Sequence, residues 1–296
     1  MKRTKQSIRK PTAILSGDWH LREDQPVCRT DDYWTAQWDK VAFIAEMQRK
    51  YDCPVLHSGD LFHHWKPSPY SLTMAIEHFP YPLHIIYGNH DLPQHNLNLT
   101  YKCGIRTLEA AEKVNVLNET HWGEVPESGS VFFPTHNSNR KVLIWHVMTW
   151  TGERPWPGCE DPTAEEILDR YPEFSLIITG HNHKTFIVEQ DGRLLINPGS
   201  MMRMAADQEN HEPCVFLWYA ETNEVERVVL PHEKGVVSRD HIEARDDRDD
   251  SRYQAFIKGL QEDAPQISFR ANLEEFFRQH STGKKVKEMV WGSVEE

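Results

Sequence analysis

The amino-acid sequence predicts an α/β fold in which two β-sheets pack as a sandwich flanked by helices. Three observations predict it. Apolar strand-like runs alternate with helix-like segments from Thr12 to about Phe174. Five of those runs end on a polar motif: Asp18-Trp19-His20, Gly59-Asp60, Gly88-Asn89-His90-Asp91, His146 and Gly180-His181-Asn182-His183. After His183 the pattern changes to short strands, which would complete a second sheet.

Residues 12–16 read as a buried strand, with Asp18 close behind. Residues 31–51 read as an amphipathic helix. Trp34, Trp38, Val41, Ala45 and Gln48 trace one stripe at steps of three and four, and Phe43, Ile44 and Met47 widen it. Thr30 or Asp31 is placed to cap it. A strand at 54–58 leads to Gly59-Asp60, a helix is expected over 68–79, and a strand at 83–87 leads to Gly88-Asn89-His90. The strand at 141–145 ends at His146. A short helix over 161–171 has Pro162 in its first turn, and the strand at 175–179 ends at Gly180-His181. Beyond it, 184–189, 193–196, 214–219 and 225–230 read as strands, with a hairpin turn at Asp191-Gly192. One α/β domain is therefore expected over 11–235. The remainder, 236–296, reads as a charged linker (238–252) and a small helical extension with helices at 253–261, 273–280 and 285–291.

The chain has 296 residues, 39% of them hydrophobic, enough for one sizeable core plus an appendage. A net charge of −12 argues against a general nucleic-acid coat, because such binding rests on neutralising phosphates. It does not exclude a nucleic-acid enzyme, since bound divalent ions reverse the local potential. Two basic clusters, Lys2, Arg3, Lys5, Arg9 and Lys10, then Lys284, Lys285 and Lys287, read as solvated tails. The five cysteines are scattered, odd in number and without a Cys-x-x-Cys pair. Neither a disulfide framework nor a zinc–thiolate site is indicated, and reduced thiols in a cytoplasmic protein are expected. No apolar stretch precedes Pro11, so no signal peptide is expected, and no run approaches the ~20 residues that span a bilayer.

The five motifs supply carboxylates, imidazoles and one carboxamide, the ligand types that a pair of divalent ions requires. Each has an ordinary reading alone. Asp18 could cap a turn, Asn89 could sit in a left-handed turn after Gly88, and His146 could be a satisfied core histidine. Placed in order at strand ends, where ligands collect in α/β sheets, they read as one site. The ordered set resembles the calcineurin-like metallophosphoesterases, which implies their fold and hydrolysis of a phosphoester by a metal-activated water. The resemblance makes Asp60 the bridge between two ions. Asp18, His20 and His183 would complete one shell, and Asn89, His146 and His181 the other. Mixed oxygen and nitrogen ligands favour manganese, with iron, zinc or magnesium as alternatives. The resemblance also makes His90 the catalytic acid at the leaving oxygen. Asp91 beside it is expected to hold the His90 ring tautomer.

The second motif runs on as Gly59-Asp60-Leu61-Phe62-His63-His64-Trp65-Lys66-Pro67-Ser68. It is similar to the Gly-Asp-Leu-Phe-His…Pro-Ser signature of the SbcD-type DNA repair nucleases. Asp18-Trp19-His20-Leu21 and Gly180-His181-Asn182-His183-Lys184 resemble that group's opening and closing motifs. His63 falls on its additional active-site histidine, which would position the scissile phosphate. The resemblance spans motifs within 12–205. It implies DNA as substrate, an SMC-like ATPase and a second copy of the chain as partners, and no membrane. Asn197-Pro198-Gly199-Ser200 departs from it and is the form common in small phosphodiesterases. The remainder after residue 235 is a second departure, leaving little room for that group's DNA-capping domain and ATPase-binding tail, and a compact phage-type or stand-alone version would reconcile it. The rival readings are a phosphodiesterase or phosphatase acting on a nucleotide or other small phosphoester, and a non-catalytic scaffold of the same fold. His64 reads as a surface residue, and His57, His78, His84 and His95 as structural. Trp65 reads equally as a core residue or as a platform for a base.

Overall fold

The computed structural model describes residues 9–117, 129–132, 140–243, 269–280 and 282–292. Two sheets account for its strands. The first has the order β11-β10-β1-β2-β3-β4, from β1 (Ala13–Ser16), β2 (Val55–His57), β3 (Leu83–Ile85), β4 (Asn115–Val116), β10 (Cys214–Tyr219) and β11 (Glu224–Val229). The second has the order β5-β6-β7-β9-β8, from β5 (Gly129–Phe132), β6 (Val142–Trp145), β7 (Leu176–Thr179), β8 (Phe186–Gln190) and β9 (Arg193–Asn197). β1 to β4 run parallel, as do β6, β7 and β9, while β10, β11, β5 and β8 join antiparallel.

Side-chain alternation explains the layers. Leu15, Leu56, Val142, Ile144, Leu176, Ile178, Ile196, Phe216 and Trp218 face each other between the sheets. Their alternates in the first sheet, Ile14, Val55, Leu83, Ile85, Val215 and Leu217, face the helices. There they meet Val41 and Ile44 of α1 (Tyr33–Tyr51), Ala75 of α2 (Pro69–His78), and Ile105 and Leu108 of α3 (Gly104–Ala110). In the second sheet, Leu143, Ile177 and Leu195 meet Ile167 and Leu168 of α4 (Ala164–Arg170). Both sheets are covered on two faces, which is why their strands read as continuous apolar runs. Each fully buried Leu or Ile contributes roughly 1.5–3 kcal/mol.

The two-sheet α/β architecture is the one the sequence predicts, and local chemistry moves several boundaries. Asp32, and neither Thr30 nor Asp31, caps α1, its carboxylate accepting from Thr35 N–H at 3.0 Å. Asp31 is occupied by the Arg29 guanidinium. α4 starts at Ala164 because Thr163 and Glu166 form a capping box, so Pro162 lies before the helix. α3, β4 and β5 were not anticipated: they are short, and Gly104 opens α3 without a side-chain cap.

The chain divides into two compact units, Met1–Ser238 and Arg239–Glu296. The second contains α5 (Phe269–Gln279) and α6 (Lys284–Gly292), close to the last two helices expected. The helix expected at 253–261, most of the charged linker, and Lys2, Arg3 and Lys5 lie outside the described residues. Among the described residues, no helix is long and apolar enough to cross a membrane.

Candidate metal centre

β1, β2 and β3 of the first sheet and β6 and β7 of the second all end at one edge of the sandwich. The loops that leave those ends carry the five motifs, so Asp18 accepts the His181 N–H at 3.0 Å across 163 residues of sequence. The loops are packed backbone to backbone. Asp18 N–H donates to the Gly59 carbonyl, His20 N–H to the Asp60 carbonyl, and His63 N–H to the Leu21 carbonyl. Such closeness excludes side chains at the motif glycines, Gly88 and Gly59 among them. A Cβ on Gly88 would collide with the Asp60 carboxylate and main-chain nitrogen. One on Gly59, whose φ is +97°, would lie 2.8 Å from the Gly88 nitrogen and from His146 Nδ1.

Four of the motif side chains are presented from left-handed backbone: Asp18 (φ 48°), His20 (46°), Asp60 (56°) and His181 (75°). Such conformations cost on the order of 1–3 kcal/mol each and persist where the surroundings over-determine them. They turn the side chains inward onto a common point.

The donor atoms form two connected groups. In one, Asp18, His20 and His183 bring their donors within 4.8 Å of one another, with His20 Nε2 and His183 Nε2 3.0 Å apart. In the other, Asp60, His146 and His181 do the same. Asn89 joins this second group, its Oδ1 lying 2.9 Å from His146 Nε2 and 2.8 Å from His181 Nδ1. Asp60 Oδ2 links the groups, 3.4 Å from His20 Nε2 and 3.3 Å from His146 Nε2. The other Asp60 oxygen is held by the His90 N–H at 2.8 Å.

These residues fit a pair of divalent ions. Adjacent ligand atoms on an ion with bonds of ~2.1 Å stand about 3 Å apart, as here. Asp18 Oδ2 is buried with no hydrogen-bond partner, an orphan that a cation would satisfy. His146 Nδ1 faces the Ser58 carbonyl at 2.8 Å. A carbonyl only accepts, so Nδ1 carries a proton and Nε2 is the atom that would bind an ion once its own proton is displaced.

Burial and close packing shift the titration of these groups. Burial raises Asp18 to about 7. Burial also opposes ionisation of Asp60, yet the hydrogen bond and charge of His146, with His20 and His90, hold its carboxyl well below the usual range. His146 is correspondingly raised to about 9, Asp60 outweighing the effect of burial. Burial lowers His183 to about 4 and His20 well below its ordinary value. A divalent ion would favour the ionised carboxylates and neutral imidazoles.

His90 and His63 stand at the rim. The His20, His63 and His90 donors also lie within 4.8 Å of one another. His90 Nδ1 donates to the His63 carbonyl at 2.8 Å, leaving Nε2 as the working atom. The expectation that Asp91 holds the His90 ring is corrected by this contact. Asp91 is 1% exposed and accepts instead from the main-chain N–H groups of Leu61, Phe62 and Gly88. It pins the second motif to the third. Burial and the Asp60 charge raise it to about 7 against those donors.

Other expectations resolve locally. Trp65 packs against the core of the first sheet, and its carbonyl accepts the Gly104 N–H, which favours the core reading. His64 is exposed. His57 is fully buried, accepts the Gly59 N–H on Nδ1, and is lowered to about 3 by burial, so it props the Gly59 turn as a neutral ring. Arg22, named by no motif, reaches His63 Nε2 at 3.0 Å. Its only sequence signal was its place directly after Leu21.

Several solved structures are similar to this chain at low identity. An archaeal phosphodiesterase is 16% identical over 74% of this chain and 99% of its own, with a TM-score of 0.45. Vps29 of Entamoeba histolytica, solved with zinc, is 17% identical over 73% of this chain and 98% of its own, at a TM-score of 0.38. Vps29 of Cryptosporidium parvum is 15% identical over 75% and 97%, at 0.37. No curated protein matches the chain. Residues 15–222 match the calcineurin-like phosphoesterase superfamily domain, a span that holds every one of the converging loops. The chain belongs to the calcineurin-like phosphoesterase superfamily.

Proposed function

We propose that this chain is a two-metal phosphodiesterase that cuts DNA, as an exo- or endonuclease of the SbcD type. The observation that carries the reading is His63 at the rim of the seven-donor cluster, in ring contact with His20 and His90. Asp60 Oδ2 would bridge the ions. Asp18, His20 and His183 would hold one, and Asn89, His146 and His181 the other, with manganese favoured for its tolerance of mixed oxygen and nitrogen donors. Ions held there would supply positive charge for the phosphate and lower the pKa of a bound water. The chain's own residues do the rest. His90, fixed through Nδ1 by the His63 carbonyl, gives a proton from Nε2 to the leaving oxygen. His63 orients the phosphate for in-line displacement. Catalysis is assigned to 11–235, with 236–296 as an appended extension. Five free cysteines support a cytoplasmic setting. An SMC-like ATPase and a second copy of the chain are partners this reading carries.

A second reading, hydrolysis of a nucleotide or other small phosphodiester, is supported by Asn197-Pro198-Gly199-Ser200 and by the net charge of −12. His63→Ala separates the two. A polymer backbone must be held before attack, whereas an activated aryl diester needs less positioning. On one manganese-loaded preparation, the variant should lose about 10²-fold in DNA cleavage and far less on a chromogenic diester. Robust turnover of a nucleotide by the wild type, with no DNA cleavage, sinks the nuclease reading.

A further inference from the structure

The loop after Asp18 carries a cation that is fixed in place at the rim of the centre. The Arg22 main chain is clamped by Gln37 of α1, a fully buried side chain. Arg22 N–H donates to Gln37 Oε1 at 3.1 Å, and Gln37 Nε2 donates to the Arg22 carbonyl at 2.7 Å. The guanidinium is held too. Its Nε donates to Asp24 Oδ1 at 3.0 Å, Nη2 donates to Asp24 Oδ2, and Nη1 reaches His63 Nε2 at 3.0 Å. The Arg22 side chain is only 17% exposed.

A guanidinium only donates, so His63 Nε2 is the acceptor of that bond. The ring proton then sits on Nδ1, which is buried without a partner. Of the five guanidinium N–H groups, three are used in these contacts. The other two, one on each Nη, have no partner among the described residues. Purely structural arginines in this chain look different: Arg29 and Arg203 spend their donors on Asp31 and on the carbonyls of Arg203, Glu209 and Glu233.

We propose that Arg22 is a phosphate-binding residue whose guanidinium grips the non-bridging oxygens of the phosphodiester that His63 faces. The assignment rests on the phosphodiesterase reading above. A planar fork with an open N–H on each terminal nitrogen matches two phosphate oxygens, as an ammonium cannot. Clamping by Gln37 and Asp24 means that little side-chain entropy is lost on binding. Asp24 is 71% exposed and pairs with one edge of the fork, leaving the rest of it for the substrate.

The test compares Arg22→Gln and Arg22→Lys with the wild type, all manganese-loaded and checked for equal metal content. Arg22→Gln should raise KM for a chromogenic aryl phosphodiester about 10- to 100-fold, the range of a lost charge-assisted contact. Binding of a labelled single-stranded oligonucleotide should show a log–log salt slope lower by about one. Arg22→Lys should keep the slope while its KM still rises, since the charge stays and the fork is lost. A folded Arg22→Gln with wild-type KM and salt slope overturns the assignment. So does a raised KM with an unchanged slope, which would make Arg22 a loop prop. Should Arg22→Gln not fold, a wild-type KM in Arg22→Lys overturns it. A wild type that cleaves the diester but not the oligonucleotide removes the DNA reading, and the KM comparison on the diester still decides Arg22.

Discussion

At Asp60 the two carboxylate oxygens have separate tasks: Oδ1 takes the His90 N–H, and Oδ2 faces both histidine groups. That arrangement ties the proposed acid to the proposed bridge without making His90 a ligand. His90→Ala should therefore retain its metal while turnover falls about 10²–10⁴-fold, the usual contribution of a general acid. Metal analysis beside kinetics checks it, and loss of metal would make His90 a ligand. The same residues set a pH dependence. His146, raised to about 9, and Asp18, raised to about 7, hold protons in the metal-free protein that bound ions must displace. Apparent metal affinity should then rise with pH from about 7 to 9, with roughly one to two protons released per chain near neutrality. Calorimetry in buffers of different ionisation enthalpy reads that number, and zero release contradicts the account. The family resemblance carried by the ordered motifs is what singled out the nine side chains, and their donors lie near one another in the structure. Partners such as His63 carbonyl for His90, or Arg22 for His63, were not legible, because they depend on how closely separate loops pack.

Among the elements, the strands and long helices followed the hydrophobic pattern, and their ends followed capping chemistry. α1 begins at Tyr33, two residues later than expected, because Arg29 engages Asp31 and leaves Asp32 to cap. α3, β4 and β5 were invisible because two- to seven-residue segments carry too little periodicity to read. The element that matters most for the site has no regular structure. It is the junction where Asp91 takes N–H donors from the loops after β2 and β3. Asp91→Ala would bury those donors unpaired, and a loss of about 2–5 kcal/mol is expected. Asp32→Ala, which removes only the α1 cap, should cost about 1 kcal/mol. Thermal unfolding of the two variants side by side checks the ranking. Equal melting temperatures would show that the Asp91 junction is not what joins the loops.

Across the whole molecule, two sheets covered on both faces hold five strand ends at a single edge. The acidic chain then concentrates its imidazoles there: among the described residues, seven histidines lie in or beside that cluster, counting His57 beneath it. A surface with net charge −12 would repel a polyanion, so the reading requires the centre to supply positive charge of its own. On the proposed reading, two ions held at Asp60 would be the source of that charge and of the chemistry. A crystal of the manganese-soaked protein, measured at the manganese absorption edge, tests this most directly. Two anomalous peaks about 3.5–4 Å apart are expected, both in contact with Asp60 Oδ2, one beside Asp18, His20 and His183 and the other beside Asn89, His146 and His181. A single peak, or peaks away from Asp60, would contradict it.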